Sequence, residues 1–140
     1  MTAYTVGNFG RYSPVRAKEY DVNVTGSFAT TTLGLNDTYT FCFIPAGATV
    51  VSVGLQFPAM DTNVTPLLTW DLGDTANSAT QYLSANTTGR AAGSVIGTGV
   101  PLYYSADDNL ILKVHAAAAT GVQGTIRFAV SFVLDGNPYR

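Results

Sequence analysis

From Tyr20 onward, apolar and polar residues alternate with a period of two, the spacing of half-buried strands. Tyr20, Val22 and Val24 alternate with Asp21, Asn23 and Thr25. Tyr39, Phe41 and Phe43 alternate with Thr38, Thr40 and Cys42. Val51, Val53, Leu55 and Phe57 form one face, opposite Val50, Ser52, Gly54 and Gln56. Leu68, Trp70 and Leu72 oppose Thr69 and Asp71, and Leu110, Leu112 and Val114 oppose Ile111, Lys113 and His115. The clearest run is the last, with Ile126, Phe128, Val130, Phe132 and Leu134 set against Arg127, Ala129, Ser131 and Val133.

Turn residues punctuate these runs at 34–37, 45–47, 58–66, 73–77, 107–109 and 120–124. There Gly and Asn allow a positive φ and Pro fixes it. No helical period survives; the best helical candidates, 74–83 and 116–119, are short, and 114–119 reads better as a strand end entering a turn at Thr120-Gly121. Seven or more strands with one apolar face each must pack as two sheets or close into a barrel. The uneven intervals, notably between Tyr82 and Leu102, suit long crossovers. The prediction is an all-β fold: an antiparallel β-sandwich, jelly-roll-like, over 20–140. The expected core holds Phe41, Phe43, Val53, Leu55, Trp70, Leu112, Phe128, Val130 and Phe132.

Residues 1–19 lack this alternation and mix Tyr4, Phe9 and Tyr12 with Gly7, Gly10 and Pro14. They read as an extended N-terminal arm. Arg11, Arg16 and Lys18 against Glu19 give the arm a balance of +2, while four cations against eight Asp give the remainder −4. Tyr4, Phe9, Arg11, Tyr12, Arg16 and Lys18 are therefore the expected partner-contact residues, since interfaces favour aromatics and Arg.

Charged residues are only 11% of the 140, with hydrophobic residues at 46%. So neutral a surface suits a subunit packed against others. A net charge of −2 argues against nucleic acid as a partner, because that binding neutralises phosphates with Lys and Arg. The first residues carry no apolar signal-peptide core, and no run has the length of a membrane span, so no membrane partner is expected. The four Asn-x-Thr sequons, at Asn23, Asn36, Asn63 and Asn86, are chance in a Thr-rich chain. One cysteine, Cys42, excludes an internal disulfide.

Catalytic parts are missing. His115 is the only histidine, so neither a multi-histidine metal site nor a triad without it can be built. Cys42 has no neighbouring base and reads as a small packing residue. Asp71, Asp74 and Asn77 superficially resemble a calcium loop, but turn-stabilising side chains explain them better. Asp107-Asp108-Asn109 reads as an ordinary turn. Gly93–Gly99 has no P-loop lysine. No enzyme activity, cofactor or metal is expected.

Several segments in fixed order resemble small virion proteins of tailed bacteriophages, above all capsid decoration (cement) proteins. They are Phe41-Cys-Phe-Ile-Pro-Ala-Gly-Ala-Thr-Val-Val-Ser-Val-Gly-Leu, Leu68-Thr-Trp-Asp-Leu-Gly-Asp-Thr-Ala-Asn, Gln81-Tyr-Leu, Asp108-Asn-Leu-Ile-Leu-Lys-Val, Thr120-Gly and Ile126-Arg-Phe-Ala-Val-Ser-Phe. The resemblance covers roughly 38–134 and leaves the arm unmatched. It implies a homo-oligomer, often a trimer, that binds the lattice of a major capsid protein on the virion surface after synthesis in the host bacterial cytoplasm. It implies no reaction. Two alternatives compete: another virion part, such as a head or tail accessory subunit or the capsid shell protein itself, or a phage adhesin or carbohydrate-binding β-sandwich with Tyr82, Tyr103 and Tyr104 as a sugar platform.

Overall fold

The computed structural model describes residues 19–31 and 33–135. Nine strands follow in order: β1 (Glu19–Ala29), β2 (Thr38–Ile44), β3 (Ala48–Phe57), β4 (Thr69–Asp74), β5 (Leu83–Asn86), β6 (Gly93–Ile96), β7 (Leu102–Tyr103), β8 (Asp108–Ala116) and β9 (Thr125–Asp135). They form two antiparallel sheets, β1-β9-β3-β6 with β7 also on β3, and β2-β8-β4-β5. The predicted all-β sandwich is therefore the observed fold.

Each sheet turns one apolar face inward, and Val53, Leu55, Trp70, Leu72, Leu112, Val114, Val130 and Phe132 are buried between them. Phe41 and Phe128 are half-buried and pack against this core, their rings 5.0 Å apart. The interval from Tyr82 to Leu102, expected as a long crossover, holds the short strands β5 and β6.

Two expected faces are partly reversed, both at β-bulges. The β2–β8 register shifts between Thr40 and Cys42, so Cys42 and Ile44 point inward and Phe43 is 55% exposed. The β3–β9 register shifts between Val50 and Ser52; Val50 is buried and Val51 is exposed, opposite to the expected assignment. An extra residue in one strand inverts the alternation beyond it. Neither bulge carries a Gly or Pro that would announce it.

Gly73 also departs from the turn expected of it. It lies within β4, paired with Ile111, and the loop after β4 folds back over it. A Cβ there would stand 2.0 Å from the Ser78 carbonyl oxygen.

Candidate partner-contact surface

At one end of the sandwich three loops meet: 30–37, 58–68 and 117–124. Asp61 ties two of them together. Its Oδ2 accepts from the backbone N–H of Leu67 at 2.8 Å, Leu68 at 3.0 Å and Ala119 at 2.9 Å; its Oδ1 accepts from Thr120 at 2.9 Å. The carboxylate is 2% exposed. Burial alone would raise its pKa, but the N–H groups of Thr120, Ala119, Leu67 and Leu68 outweigh that and hold it far below the usual range. Thr62 N–H donates to Thr120 O at 3.0 Å and Val122 N–H to Met60 O at 2.9 Å. The third loop joins through Thr30 N–H to Gly124 O at 2.9 Å.

Apolar side chains stand outward at this fixed end, among the exposed polar Thr62, Thr65, Thr120 and Gln123. Val64 is 99% exposed, and Leu35, Leu67 and Val122 are exposed too. The three loops carry no Lys or Arg and their only acids are Asp37 and Asp61, while Arg90 of the β5–β6 loop reaches the same end, its Nε donating to Leu68 O at 2.9 Å. Loops held by internal hydrogen bonds lose little entropy on docking. Exposed apolar side chains such as Val64 and Leu67 are what the centre of a protein interface uses.

The opposite end is polar and closed. Asp74 Oδ1 accepts from the N–H of Asn77 at 2.6 Å and Ser78 at 3.1 Å, so the turn reading of Asp74 and Asn77 holds. Its Oδ2 accepts from Tyr104 OH at 2.7 Å, and that hydroxyl lies 2.6 Å from Tyr82 OH. Burial pushes Tyr82 up to about 12 and Tyr104 further still. Asp108 does more than the ordinary turn expected of it. It is buried, accepts from Thr75 Oγ1 at 2.5 Å and from the N–H of Asn109, Ala76 and Thr75, and is held below its ordinary value by those bonds against the opposing effect of burial.

The candidate residues separate accordingly. Tyr82 and Tyr104 are buried and only Tyr103 is exposed, so the three tyrosines form no sugar platform. His115 is largely exposed and its Nδ1 donates to Oδ2 of Asp71 at 2.9 Å. Asp71, expected on a polar face, is buried and also accepts from Ala85 N–H at 2.8 Å. Among the described residues no hydrogen bond joins His115 to a hydroxyl or thiol. Cys42 is a buried thiol whose pKa burial raises, as a packing residue requires. The arm residues Tyr4, Phe9, Arg11, Tyr12, Arg16 and Lys18 lie outside the described residues. Sequence reasoning missed Asp61 as a clasp, because a caged carboxylate has no local signature.

The outer face of the β1-β9-β3-β6 sheet carries Asp21 and Arg127 among mostly uncharged side chains. It presents Asn23, Thr25, Ser27, Ser52 and Ser131, with Ser131 Oγ donating to Asn23 Oδ1 at 2.7 Å. Gly54 and Ala129 floor a shallow groove beside the exposed Ile96.

Polar chemistry of this kind fixes the loops of an antiparallel β-sandwich. No protein-family model matches the sequence, nor does any curated protein. Among solved structures, a chain of the cyanophage Pam1 capsid asymmetric unit is 32% identical, with a TM-score of 0.76 over 96% of this chain and 99% of that one. The chain belongs to the family of bacteriophage virion structural proteins that includes this capsid chain. A chain of the Ralstonia phage GP4 capsid is 22% identical, with a TM-score of 0.65 over 83% of this chain and 86% of that one. A chain of the acidic stable capsid of Helicobacter pylori bacteriophage KHP30 is 15% identical, with a TM-score of 0.58 over 81% and 92%. Those two share the fold.

Proposed function

We propose that the chain is a decoration (cement) subunit: a small symmetric oligomer, a trimer by resemblance, that binds and stabilises the outside of a phage head lattice and catalyses no reaction. The observation that carries this is the likeness, along nearly the whole of both chains, to a chain of a phage capsid asymmetric unit. The strand order supports the jelly-roll reading, since the first and last strands lie side by side and each sheet interleaves early and late strands. The apolar loop end, with Val64 and Leu67 at its tips, is the surface suited to the shell. The arm, residues 1–19 ahead of the domain at 20–140, reaches a neighbour through Tyr4, Phe9, Arg11, Tyr12, Arg16 and Lys18. Synthesis is in the host cytoplasm and the final place is the capsid surface.

The test is to mix purified protein with undecorated particles and follow co-sedimentation. Binding is expected, and Val64→Asp should weaken it at least about tenfold without lowering Tm, since a fully exposed side chain contributes nothing to the fold. Absence of binding by the unaltered protein would overturn the proposal.

A further inference from the structure

Edges of a sheet expose unpaired N–H and C=O groups, and proteins normally shorten, bend or cover them. Most outer edges of this sandwich are blunted. β6 has four residues and β7 two. β5 has four, with Ala85 at φ 50° and a register shift opposite it. β2 carries the Thr40/Cys42 bulge.

β1 has none of these devices. It pairs with β9 in unbroken register over 11 residues, from Glu19↔Asp135 to Ala29↔Thr125. From Val22 to Ala29 it contains no Pro, no charge and no bulge. Val22, Val24 and Phe28 pack inward, and the Phe128 ring lies across Gly26, its Cζ 2.9 Å from where a Cβ would stand. No described strand pairs with its outer side. Straight, long and uncharged, this edge is a template for one more strand.

We infer that the occupant is the N-terminal arm of a neighbouring copy, added to β1 as an extra strand. The inference deepens the arm contact proposed above and rests on that reading. Eighteen residues of the sequence precede Glu19, and the arm leaves from the start of the very edge in question. Extended, they span up to about 60 Å at ~3.3 Å per residue, against roughly 36 Å for β1 itself. That is enough to cross a subunit boundary and still lay down a strand. Thr2-Ala3-Tyr4-Thr5-Val6 is the arm's run of strand-favouring residues, farthest from its own domain. Folding back onto its own β1 would use 7–18 as a loop, and the cross-links below tell that arrangement from exchange between copies. Charge agrees: Glu19 and Asp21 open β1, and the arm brings Arg11, Arg16 and Lys18. A head-to-tail contact of this kind makes a small cyclic oligomer where its rotation closes.

The test pairs engineered cysteines with amide exchange. Thr5→Cys is combined in turn with Asn23→Cys, Thr25→Cys and Ser27→Cys, the one native thiol, Cys42, being buried. Mild oxidation should link subunits into covalent oligomers in at least one pair. In the unaltered full chain, amides of 22–29 should exchange at least about tenfold more slowly than in a variant lacking residues 2–17, with Tm largely retained. Diluting the full chain should remove that protection. Cross-links confined within one chain, or protection independent of concentration, would place the arm on its own edge and overturn the exchange. No cross-link in any pair, with exchange unchanged by the deletion, would overturn arm pairing altogether. Either failure with particle binding intact would leave the decoration reading standing; covalent oligomers without particle binding would sink that reading alone.

Discussion

Single side chains here act mainly by setting how closely backbone can approach backbone. Gly73 is the sharpest case. The main chain of Ser78 and Ala79 crosses directly over it, with the Ala79 carbonyl carbon 2.4 Å from the position a Cβ would take. A rigid backbone cannot move aside as the tip of a long side chain can. Gly73→Ala should therefore cost about 1–3 kcal/mol or more, the range of overpacked sites. Gly54 is the internal control. Its nearest neighbour to a built Cβ is the Ala129 carbonyl oxygen at 3.8 Å, an ordinary contact. Gly54→Ala should change stability by under about 0.5 kcal/mol. Chemical denaturation of the two variants measures the difference; equal losses would show that the loop over Gly73 yields.

Among elements, the strands were legible and their phase was not. β9 reads from the sequence because Ile126 to Leu134 alternate without a break, and the inward set is the observed one. β2 and β3 read as strands equally well, yet Phe43 and Val51 face outward, because a bulge is decided by the neighbouring strand and not by the residues that form it. β5 and β6 escaped for another reason: four-residue strands such as Leu83–Asn86 show too few alternations to register. The loop end was least visible, since Asp61 meets Ala119 and Thr120 only after folding. At the other end, the β4–β5 loop is joined to Tyr104, just after β7, through Asp74. Tyr104→Phe removes the donor to Asp74 and the partner of Tyr82, both buried, and should cost about 1–3 kcal/mol. The same hydrogen bonds already satisfy the Asp74 carboxylate, so prolonged chelation should leave Tm unchanged. A large fall on chelation would mean that Asp71, Asp74 and Asn77 bind a cation after all.

At the scale of the whole molecule, buried carboxylates fasten both ends of the sandwich. Asp61 gathers the loops before β4 and before β9, while Asp108 holds Thr75 and Ala76 against the start of β8. Both have folded-state pKa values below their ordinary ones. A depressed carboxylate binds its proton more weakly in the folded chain than in the unfolded one. Its contribution is therefore fully present above the unfolded pKa of about 4 and is lost as pH falls through the folded value. Thermal stability should accordingly be insensitive to these two groups from neutrality down to about pH 5, and should fall progressively below about pH 4. Asp61→Asn keeps the shape but removes the charge and turns one acceptor into a donor facing N–H groups. It should lower stability near neutral pH by about 3 kcal/mol, the upper range for a bond to a charged acceptor, and flatten the acid limb. Asp108→Asn should act in the same direction, because the Asp108 pKa is lowered as well. Scanning calorimetry from pH 7 to pH 2 on the three proteins separates these effects. A parallel acid limb in Asp61→Asn and the unaltered protein would show that protonation of Asp61 is not what loosens the loop end.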